Sequence, residues 1–324
     1  MADSIDVSLG SLQNFASSYK KDIMPQFVNN MDVKDDILFM PDVVIDQRLT
    51  AFAADDNIVQ PYATGFSSTN NQLLFTPRDL KVYKGKVDVL IVPEELRQTY
   101  LSVLAPTPGG PGQTIADLPF EAFIMSEIMR KAGALVNNYT AYFGDNNDTT
   151  STPLAIRIGV GFKRIIAAEI TAATIPSGQV YTGGALTNSN TLGVIENVWQ
   201  SLPEALQNAD TEGFVSRSVF NKLIFSLRTS NQYVLPMDAY NQGFIDLPIA
   251  AGKCRIKPRT WMNGSNRIII TPRINLVMGA DTLQGSIFKL QFAQPNVRQI
   301  QCGIDFSVGF QIYNPAWIAC NELA

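Results

Sequence analysis

Hydrophobic residues recur at helical spacing in one long segment of the chain. Between Pro119 and Phe143, apolar side chains at positions 120, 124, 128, 135, 136 and 139 fall on one face, and Gly144 follows as a helix stop. Glu127 and Lys131 stand four residues apart, at the spacing of a helical ion pair. The pattern predicts a helix about 37 Å long, long enough to serve as a strut.

A period of two marks the strands. Apolar and other residues alternate strictly from Ile304 to Ile312, which predicts a strand with one buried face. Further strands are predicted over 267–271, 274–278 and 286–293. Residues 45–92 contain two extended stretches on either side of the polar segment 67–72, and we interpret them as one long hairpin. It has few apolar residues for a core, so we expect it to project from the body.

Short strands and helices alternate between residues 154 and 250, which predicts an α/β subdomain. The predicted strands are 156–158 and 213–215, and the predicted helices are 162–171, 191–207 with a break at Pro203, and 218–228. A short helix at 94–104 and a Pro/Gly-rich loop at 105–117 precede the long helix.

The first part of the chain is predicted to be an acidic, amphipathic arm. Five apolar residues at spacings of three and four predict a helical face, which Pro25 interrupts: Leu12, Phe15, Tyr19, Ile23 and Phe27. Acidic residues outnumber basic ones across 1–60. Such an arm does not bury its apolar face alone, so we expect it to dock on its own body or on a neighbouring subunit.

Composition narrows the possible chemistry. The chain has no histidine, which excludes Ser-His-Asp and Cys-His nucleophile systems and histidine metal sites. Its net charge of -4 disfavours a sequence-specific reader of nucleic acid. Its three cysteines form no CxxC pair, so we expect reduced thiols. No signal peptide and no apolar run long enough to span a membrane is visible, so we expect a cytoplasmic site of synthesis and no membrane contact.

Three loops resemble ligand-binding motifs, and each lacks a required residue. The segment 159–164 has arginine at the third glycine position of a dinucleotide loop, and the glycine-rich segment 108–114 has no lysine for phosphate. The segment beginning at Asp145 has Thr150 where a calcium loop requires glycine. We therefore predict no cofactor, no metal and no catalytic residues.

Basic residues form two groups that are candidates for contact between subunits. The stretch containing Lys253, Arg255, Lys257 and Arg259 is free of acidic residues, so it is suited to an acidic surface on another subunit or to packaged DNA. A solvated face of a strand pair is an equal alternative. The second group, Lys81, Lys84 and Lys86, lies on the predicted hairpin, where lysines also protect a strand from aggregation.

Three segments in order resemble those of a known family. Residues 212–223 are similar to its strand-then-helix unit, 267–281 to its "ATPKxNLxxGTD" segment, and 306–318 to its closing strand and "GVQIxNPE" ending. Together with the arm, hairpin and long helix, these segments resemble the major capsid proteins of tailed phages, the Johnson or Hong Kong ninety-seven type. The family ending often has an acid where Ala316 stands.

The resemblance implies an α+β fold with named parts. These are an N-terminal arm (1–44), an E-loop hairpin (45–92), a P-domain (93–157) with the spine helix (119–143), an inserted α/β A-domain (158–285) and P-domain return strands (286–324). Some relatives link a hairpin lysine covalently to a neighbour's asparagine. No long charged coiled coil precedes the arm, which implies a separate scaffolding protein or an already processed chain.

The resemblance also implies a function. The chain is expected to assemble, as hexamers and pentamers, into an icosahedral shell around the double-stranded DNA of a phage. It would be located in the virion capsid and assembled in the bacterial cytoplasm, with scaffolding, portal and cementing proteins as partners. An encapsulin-type compartment, which would package an enzyme, is the first alternative, and a histidine-free enzyme is the second.

Overall fold

The computed structural model describes residues 27–54, 59, 61, 62, 64, 65, 73–92, 120–229, 243–281, 289–296 and 299–322. The predicted arm positions 12–23, the hairpin segment 67–72, the helix 94–104 and the loop 105–117 lie outside these residues. The described strands are β1 (Leu38–Met40), β2 (Asp46–Ala54), β3 (Leu73–Lys81), β4 (Tyr83–Ile91), β5 (Val180–Tyr181), β6 (Thr211–Val215), β7 (Ile245–Asp246), β8 (Cys254–Pro258), β9 (Ile269–Thr271), β10 (Leu276–Ala280), β11 (Lys289–Asn296), β12 (Gln299–Ile312) and β13 (Ala319–Asn321). The α-helices are α1 (Val33–Asp36), α2 (Phe120–Leu135), α3 (Phe162–Thr171), α4 (Thr191–Gln200), α5 (Glu204–Gln207) and α6 (Arg217–Thr229).

A five-stranded sheet is built around β12. Val308 pairs with both β4 and β10, and residues 301–305 pair with both β4 and β11. Because a strand has only two edges, β10 and β11 lie one after the other along one edge of β12, and β4 lies along the other. β1 extends the sheet by pairing in parallel with β10. The predicted strand at 304–312 is confirmed and begins earlier, at Gln299.

The long helix packs on one face of this sheet. Every second residue of β12, from Ile300 to Ile312, is buried, in one core with Ile124, Met125 and Met129 of α2. α2 is followed directly by a π-helix, Val136–Thr140, so the two together fill most of the predicted 119–143 helix. Glu127 pairs with Arg130, three residues on, rather than with the predicted partner Lys131.

A six-stranded sheet forms the second unit, in the order β5-β13-β9-β6-β8-β7. Its apolar side chains share a core with α4 and α6, including Ile195, Val198 and Leu223. The predicted helices at 162–171 and 218–228 are confirmed, and the predicted break at Pro203 separates α4 from α5. The predicted division at residue 285 groups β10 with the α/β subdomain and β13 with the return strands. In the structure, β10 lies in the five-stranded sheet and β13 lies in the six-stranded sheet.

Two strand predictions in the second half are shifted. The segment 274–278 begins as a 3-10 turn, Arg273–Asn275, and its strand is β10 at 276–280. The strand predicted at 286–293 is described from Lys289 and continues to Asn296.

The strand predicted at 156–158 is wrong. Residues Leu154–Arg157 form a 3-10 helix. The carbonyl of Ala155 accepts a hydrogen bond from Thr140 Oγ1 at 2.7 Å, and the carbonyl of Ile156 accepts one from the Asp145 amide at 2.8 Å. These backbone groups are satisfied by the turn after the long helix, so the segment needs no strand partner.

The hairpin prediction is correct for β2 and β3 and wrong for the last strand. β2 and β3 pair along their whole length and form a two-stranded ribbon, whereas β4 pairs with β12. Val87, Val89 and Ile91 of β4 lie opposite Ile304, Cys302 and Ile300, which are buried. The alternation in 87–91 therefore reflects a core-facing strand, and Lys84 and Lys86 belong to the sheet rather than to the ribbon.

Candidate assembly surfaces

The ribbon formed by β2 and β3 has two different faces. Leu49 and Leu80 are buried on the body side, in a small core with Val43 and Val277. The opposite face carries the exposed ion pair Arg48–Asp79, with 3.2 Å between Arg48 Nε and Asp79 Oδ1. Farther from the body, Phe75 is 59% exposed and lies opposite Phe52 in the strand register. The outer face thus carries an ion pair at the root and the exposed aromatic side chain of Phe75 toward the distal end.

Exposed apolar residues continue beyond β2. Val59 and Tyr62, in the segment that connects the two ribbon strands, are 88% and 94% exposed. Phe75, Val59 and Tyr62 are thus exposed apolar residues of the ribbon and its connecting segment, and such residues are candidates for contact with another surface.

The root of the ribbon is attached to the body by polar contacts. Gln311 Nε2 donates to the Asp79 carbonyl at 2.9 Å, and Tyr313 Oη donates to the Thr50 carbonyl at 2.6 Å. The backbone at Lys81 approaches Gly309 so closely that a Cβ at 309 would lie 2.1 Å from the Lys81 carbonyl oxygen. Arg78 of β3 pairs with Glu169 of α3 through both carboxylate oxygens.

The base of the predicted arm is embedded in the body. Phe27, Val28, Met31 and Val33 are buried in the main core. The arm backbone passes α2 at Gly133, where an added Cβ would lie 2.6 Å from the Phe27 carbonyl oxygen. The arm residues that the structure describes therefore dock on their own body, one of the two predicted alternatives.

Polar side chains connect the arm base to both units. Asn137 Oδ1 of the π-helix accepts from the Val33 amide at 3.1 Å, and Asn137 Nδ2 donates to Thr260 Oγ1 at 2.8 Å. Asp32 Oδ2 accepts from the same Thr260 hydroxyl at 2.7 Å. The arm, the long helix and the segment after β8 thus share one hydrogen-bonded network.

Asp36 is a fully buried acidic residue of the arm base. Its carboxylate accepts from Arg259 Nη2 at 2.5 Å and from Trp261 Nε1 at 3.2 Å. Burial raises the pKa of Asp36 to about 6, because desolvation outweighs the attraction of Arg259 and the hydrogen bond from Trp261.

The basic stretch on and after β8 finds acidic partners within the chain. Lys253 pairs with Asp210 at 3.3 Å, Arg255 with Asp246 at 3.5 Å and Lys257 with Glu212 at 2.6 Å. Arg259 pairs with Asp36, so one basic residue of this stretch meets an acidic residue of the arm inside the same subunit. Lys253 and Arg255 are exposed, whereas the Lys257 and Glu212 side chains are mostly buried.

The three candidate lysines of the first half are all exposed, in two different places. Lys81 ends the ribbon opposite Asp46, and Lys84 and Lys86 lie on the face of the five-stranded sheet opposite to α2. Lys86 Nζ is 2.6 Å from Asp88 Oδ2. No pattern in the sequence indicated Arg78, Glu169, Asn137 or Tyr313, because their partners are distant along the chain.

No group of three or more potential metal-binding side chains occurs among the described residues. No helix within the described ranges is long and apolar enough to cross a membrane. The three cysteines are free and buried, as expected for reduced thiols, and burial raises the pKa of Cys302 and Cys320 to about 11.

The fold combines a five-stranded sheet packed on a helix with a second sheet unit, an embedded arm base and a projecting ribbon. This is the fold of the tailed-phage major capsid protein. A chain of the satellite phage P4 procapsid with its size determination protein is similar at a TM-score of 0.64 and 11% identity, covering 98% of this chain and 98% of that chain. The native GTA particle capsid gives a TM-score of 0.59 at 8% identity, covering 91% and 90%.

The capsid of Myoviridae phage XM1 is similar at a TM-score of 0.54 and 10% identity, covering 90% of each chain. No sequence model of a protein family matches the chain, and no curated protein sequence matches it. The likeness is therefore one of fold, over nearly the whole length, without detectable sequence similarity.

Proposed function

We propose that this chain is a major capsid protein whose copies assemble into the icosahedral shell around the double-stranded DNA of a tailed phage. The observation that carries the proposal is the projecting ribbon with an exposed aromatic distal face, on a body with the capsid fold. A lone subunit leaves this surface in water, and contact with other copies buries it.

The proposal assigns roles to the parts of the chain. The ribbon corresponds to the E-loop, α2 with its π-helix to the spine helix, and the six-stranded sheet unit to the A-domain. Residues 1–44 form the N-terminal arm. Hexamers and pentamers of this chain are the building blocks, and scaffolding, portal and cementing proteins are the partners. DNA meets the inner wall without sequence-specific contacts, consistent with a net charge of -4.

This role is structural rather than enzymatic. The buried carboxylate Asp36 is engaged by Arg259 and Trp261, and the basic residues on and beside β8 are engaged by acids. These side chains connect different elements of the body, and the proposal requires no reacting group. Assembly in the bacterial cytoplasm and location in the virion capsid follow from the same role.

The test is the mass and shape of the purified protein, expressed alone and with its neighbouring genes. Light scattering and negative-stain microscopy are expected to show megadalton shells, or rings of five and six subunits. A stable monomer or dimer under every condition, without hollow particles, would overturn the proposal.

The packaged material separates the two kinds of shell. DNA inside particles recovered from infected cells supports the capsid role. A folded protein as the sole content supports the encapsulin-type compartment instead. Nuclease-protected nucleic acid and mass spectrometry of the contents distinguish these outcomes.

A further inference from the structure

One ion pair links the ribbon to a helix far away in the sequence. Arg78 Nη1 of β3 donates to Glu169 Oε2 of α3 at 3.2 Å, and Arg78 Nη2 donates to Glu169 Oε1. The two side chains are only 13% and 15% exposed. Thr174 Oγ1 donates to Glu169 Oε2, so the carboxylate is itself held in place. A paired arginine and carboxylate of this kind fixes both a distance and an angle.

The ion pair lies where the ribbon leaves the body. On the root side of Arg78, Leu80 is buried. On the distal side, Pro77, Thr76 and Phe75 are all exposed. Among residues 75–80 of β3, Arg78 is thus the most distal one that is not exposed, and the Tyr313–Thr50 hydrogen bond attaches β2 near the same level.

The ribbon needs such a contact because its own hydrogen bonds do not orient it. Only Val82 separates β3 from β4, and five residues separate β1 from β2, so the ribbon joins the sheet through two short connections. An isolated two-stranded ribbon is marginally stable, and a strand of this length reaches about 30 Å. A small change of angle at the root therefore moves the aromatic distal face by several ångströms.

We propose that Arg78 and Glu169 are positioning residues that hold the ribbon of the free subunit in the orientation in which a second copy of the chain binds its distal face. This inference rests on the proposed capsid function. Because the ion pair orders the ribbon before contact, less conformational freedom is lost when copies associate. The pair sets the direction of the ribbon, and the aromatic distal face makes the contact.

The orientation is measured on the free subunit, by the distance between spin labels at Thr76→Cys on the ribbon and Lys131→Cys on α2. Both positions are exposed, and the three native cysteines are buried. We expect a narrow distance distribution in the otherwise unchanged protein and a broad one in Arg78→Ala and Glu169→Gln. Exchange of the two residues, Arg78→Glu with Glu169→Arg, restores part of the narrow distribution.

The matched control is Arg48→Ala, which breaks the exposed Arg48–Asp79 ion pair inside the same ribbon. It leaves the link to α3 intact, so the distribution stays narrow. An unchanged distribution in both Arg78→Ala and Glu169→Gln overturns the inference, as does equal broadening in Arg48→Ala. If Arg78→Ala does not fold by circular dichroism, Arg78→Lys, which keeps the charge and loses the fork of donors, takes its place.

Assembly supplies the second measurement. Arg78→Ala raises the subunit concentration at which shells appear by roughly ten-fold, equivalent to about 1.4 kcal/mol per subunit. Arg48→Ala leaves that concentration unchanged. Loss of ribbon order without any effect on assembly overturns the positioning role. Absence of shells from the unsubstituted protein contradicts the capsid proposal instead, and the label distances still report on the ion pair.

Discussion

Asp36 shows how burial sets the charge of a single residue in this protein. Its carboxylate is inaccessible to water, and its pKa is raised to about 6 although Arg259 contacts it. Between the ordinary pKa of 3.8 and the folded value, the folded chain binds more protons than the unfolded chain. The contribution of this group to stability is therefore complete below pH 3.8 and is lost as the pH rises through about 6.

The first prediction concerns the pH dependence of unfolding. Asp36 lowers the free energy of unfolding by about 3 kcal/mol as the pH rises from about 4 to about 7. Asp36→Asn removes this dependence, so urea unfolding of the variant and of the unchanged protein differ in slope against pH. The control Asp35→Asn alters an exposed neighbour and keeps the slope. Parallel curves for Asp36→Asn and the unchanged protein would contradict the raised pKa.

The basic residues on and beside β8 differ in burial, so reversal of their charge has different effects on the free energy of unfolding. Lys257→Glu places a second carboxylate beside Glu212 in a pair that is only 19% exposed on each side, so we predict a loss of about 3 kcal/mol in the free energy of unfolding. Lys253→Glu with Arg255→Glu changes exposed pairs and costs less than about 1 kcal/mol. Chemical unfolding measures both.

The same double variant tests whether Lys253 and Arg255 contact another subunit. If they do, the reversed protein is folded and does not form shells. Normal shells from the double variant would show that Lys253 and Arg255 pair only with Asp210 and Asp246 of their own subunit.

At the scale of elements, the arm base and α2 are in contact because Gly133 has no side chain. A Cβ there would meet the Phe27 carbonyl oxygen, whereas a Cβ at Gly193 of α4 would meet no atom within 4 Å. The two glycines lie in helices, so their substitution by alanine has the same benefit for helix propensity. Only the contact with the arm differs.

This pair of sites gives a matched prediction. Gly193→Ala raises the free energy of unfolding by up to about 1 kcal/mol. Gly133→Ala lowers it by about 1–3 kcal/mol, because the arm must move away from the helix. Thermal unfolding of the two variants compares them directly. An equal gain in both would show that the arm base does not pack against α2 as described.

The elements themselves were predictable where one periodicity dominated. The strict alternation from Ile304 to Ile312 and the amphipathic pattern of 162–171 predicted β12 and α3 because each has one buried face. The segment 80–92 was also predicted as extended, but its predicted pairing within the hairpin was wrong for β4, which pairs with β12. Alternation shows that a strand has a core side and does not show which strand lies beside it. Residues 156–158 have apolar residues at strand spacing, yet the carbonyls of Ala155 and Ile156 accept hydrogen bonds from Thr140 Oγ1 and the Asp145 amide, at the end of the long helix and in the turn after it.

The candidate sites were less predictable than the elements. The basic stretch was visible as a run of like charge, but its acidic partners lie on β6 and β7 and next to β6, and those pairings depend on sheet order. Arg78 and Glu169 are 91 residues apart. Nothing local distinguishes either residue from an ordinary surface charge.

At the scale of the whole molecule, the proposed contact between copies depends on the distal face of the ribbon. We predict that Phe75→Ser leaves the free subunit folded, because the residue is 59% exposed, and abolishes shell formation. Leu154→Ser, at a residue that is 68% exposed on the body, serves as the control for general loss of surface hydrophobicity. Sedimentation and microscopy give the readout, and shells from Phe75→Ser would exclude this face as the contact.

The position of β12 and β13 along the chain has a consequence for synthesis. β12 is the strand that joins β4, β10 and β11, and β13 lies between β5 and β9 in the other sheet. Both sheets therefore receive an interior strand from residues 299–321. A ribosome therefore translates the 298 residues before β12 ahead of the strands that complete the two sheets. If copies assemble as proposed, nascent chains on one messenger RNA lack a finished body while they are held close together, so we expect premature association on the polysome to be disfavoured.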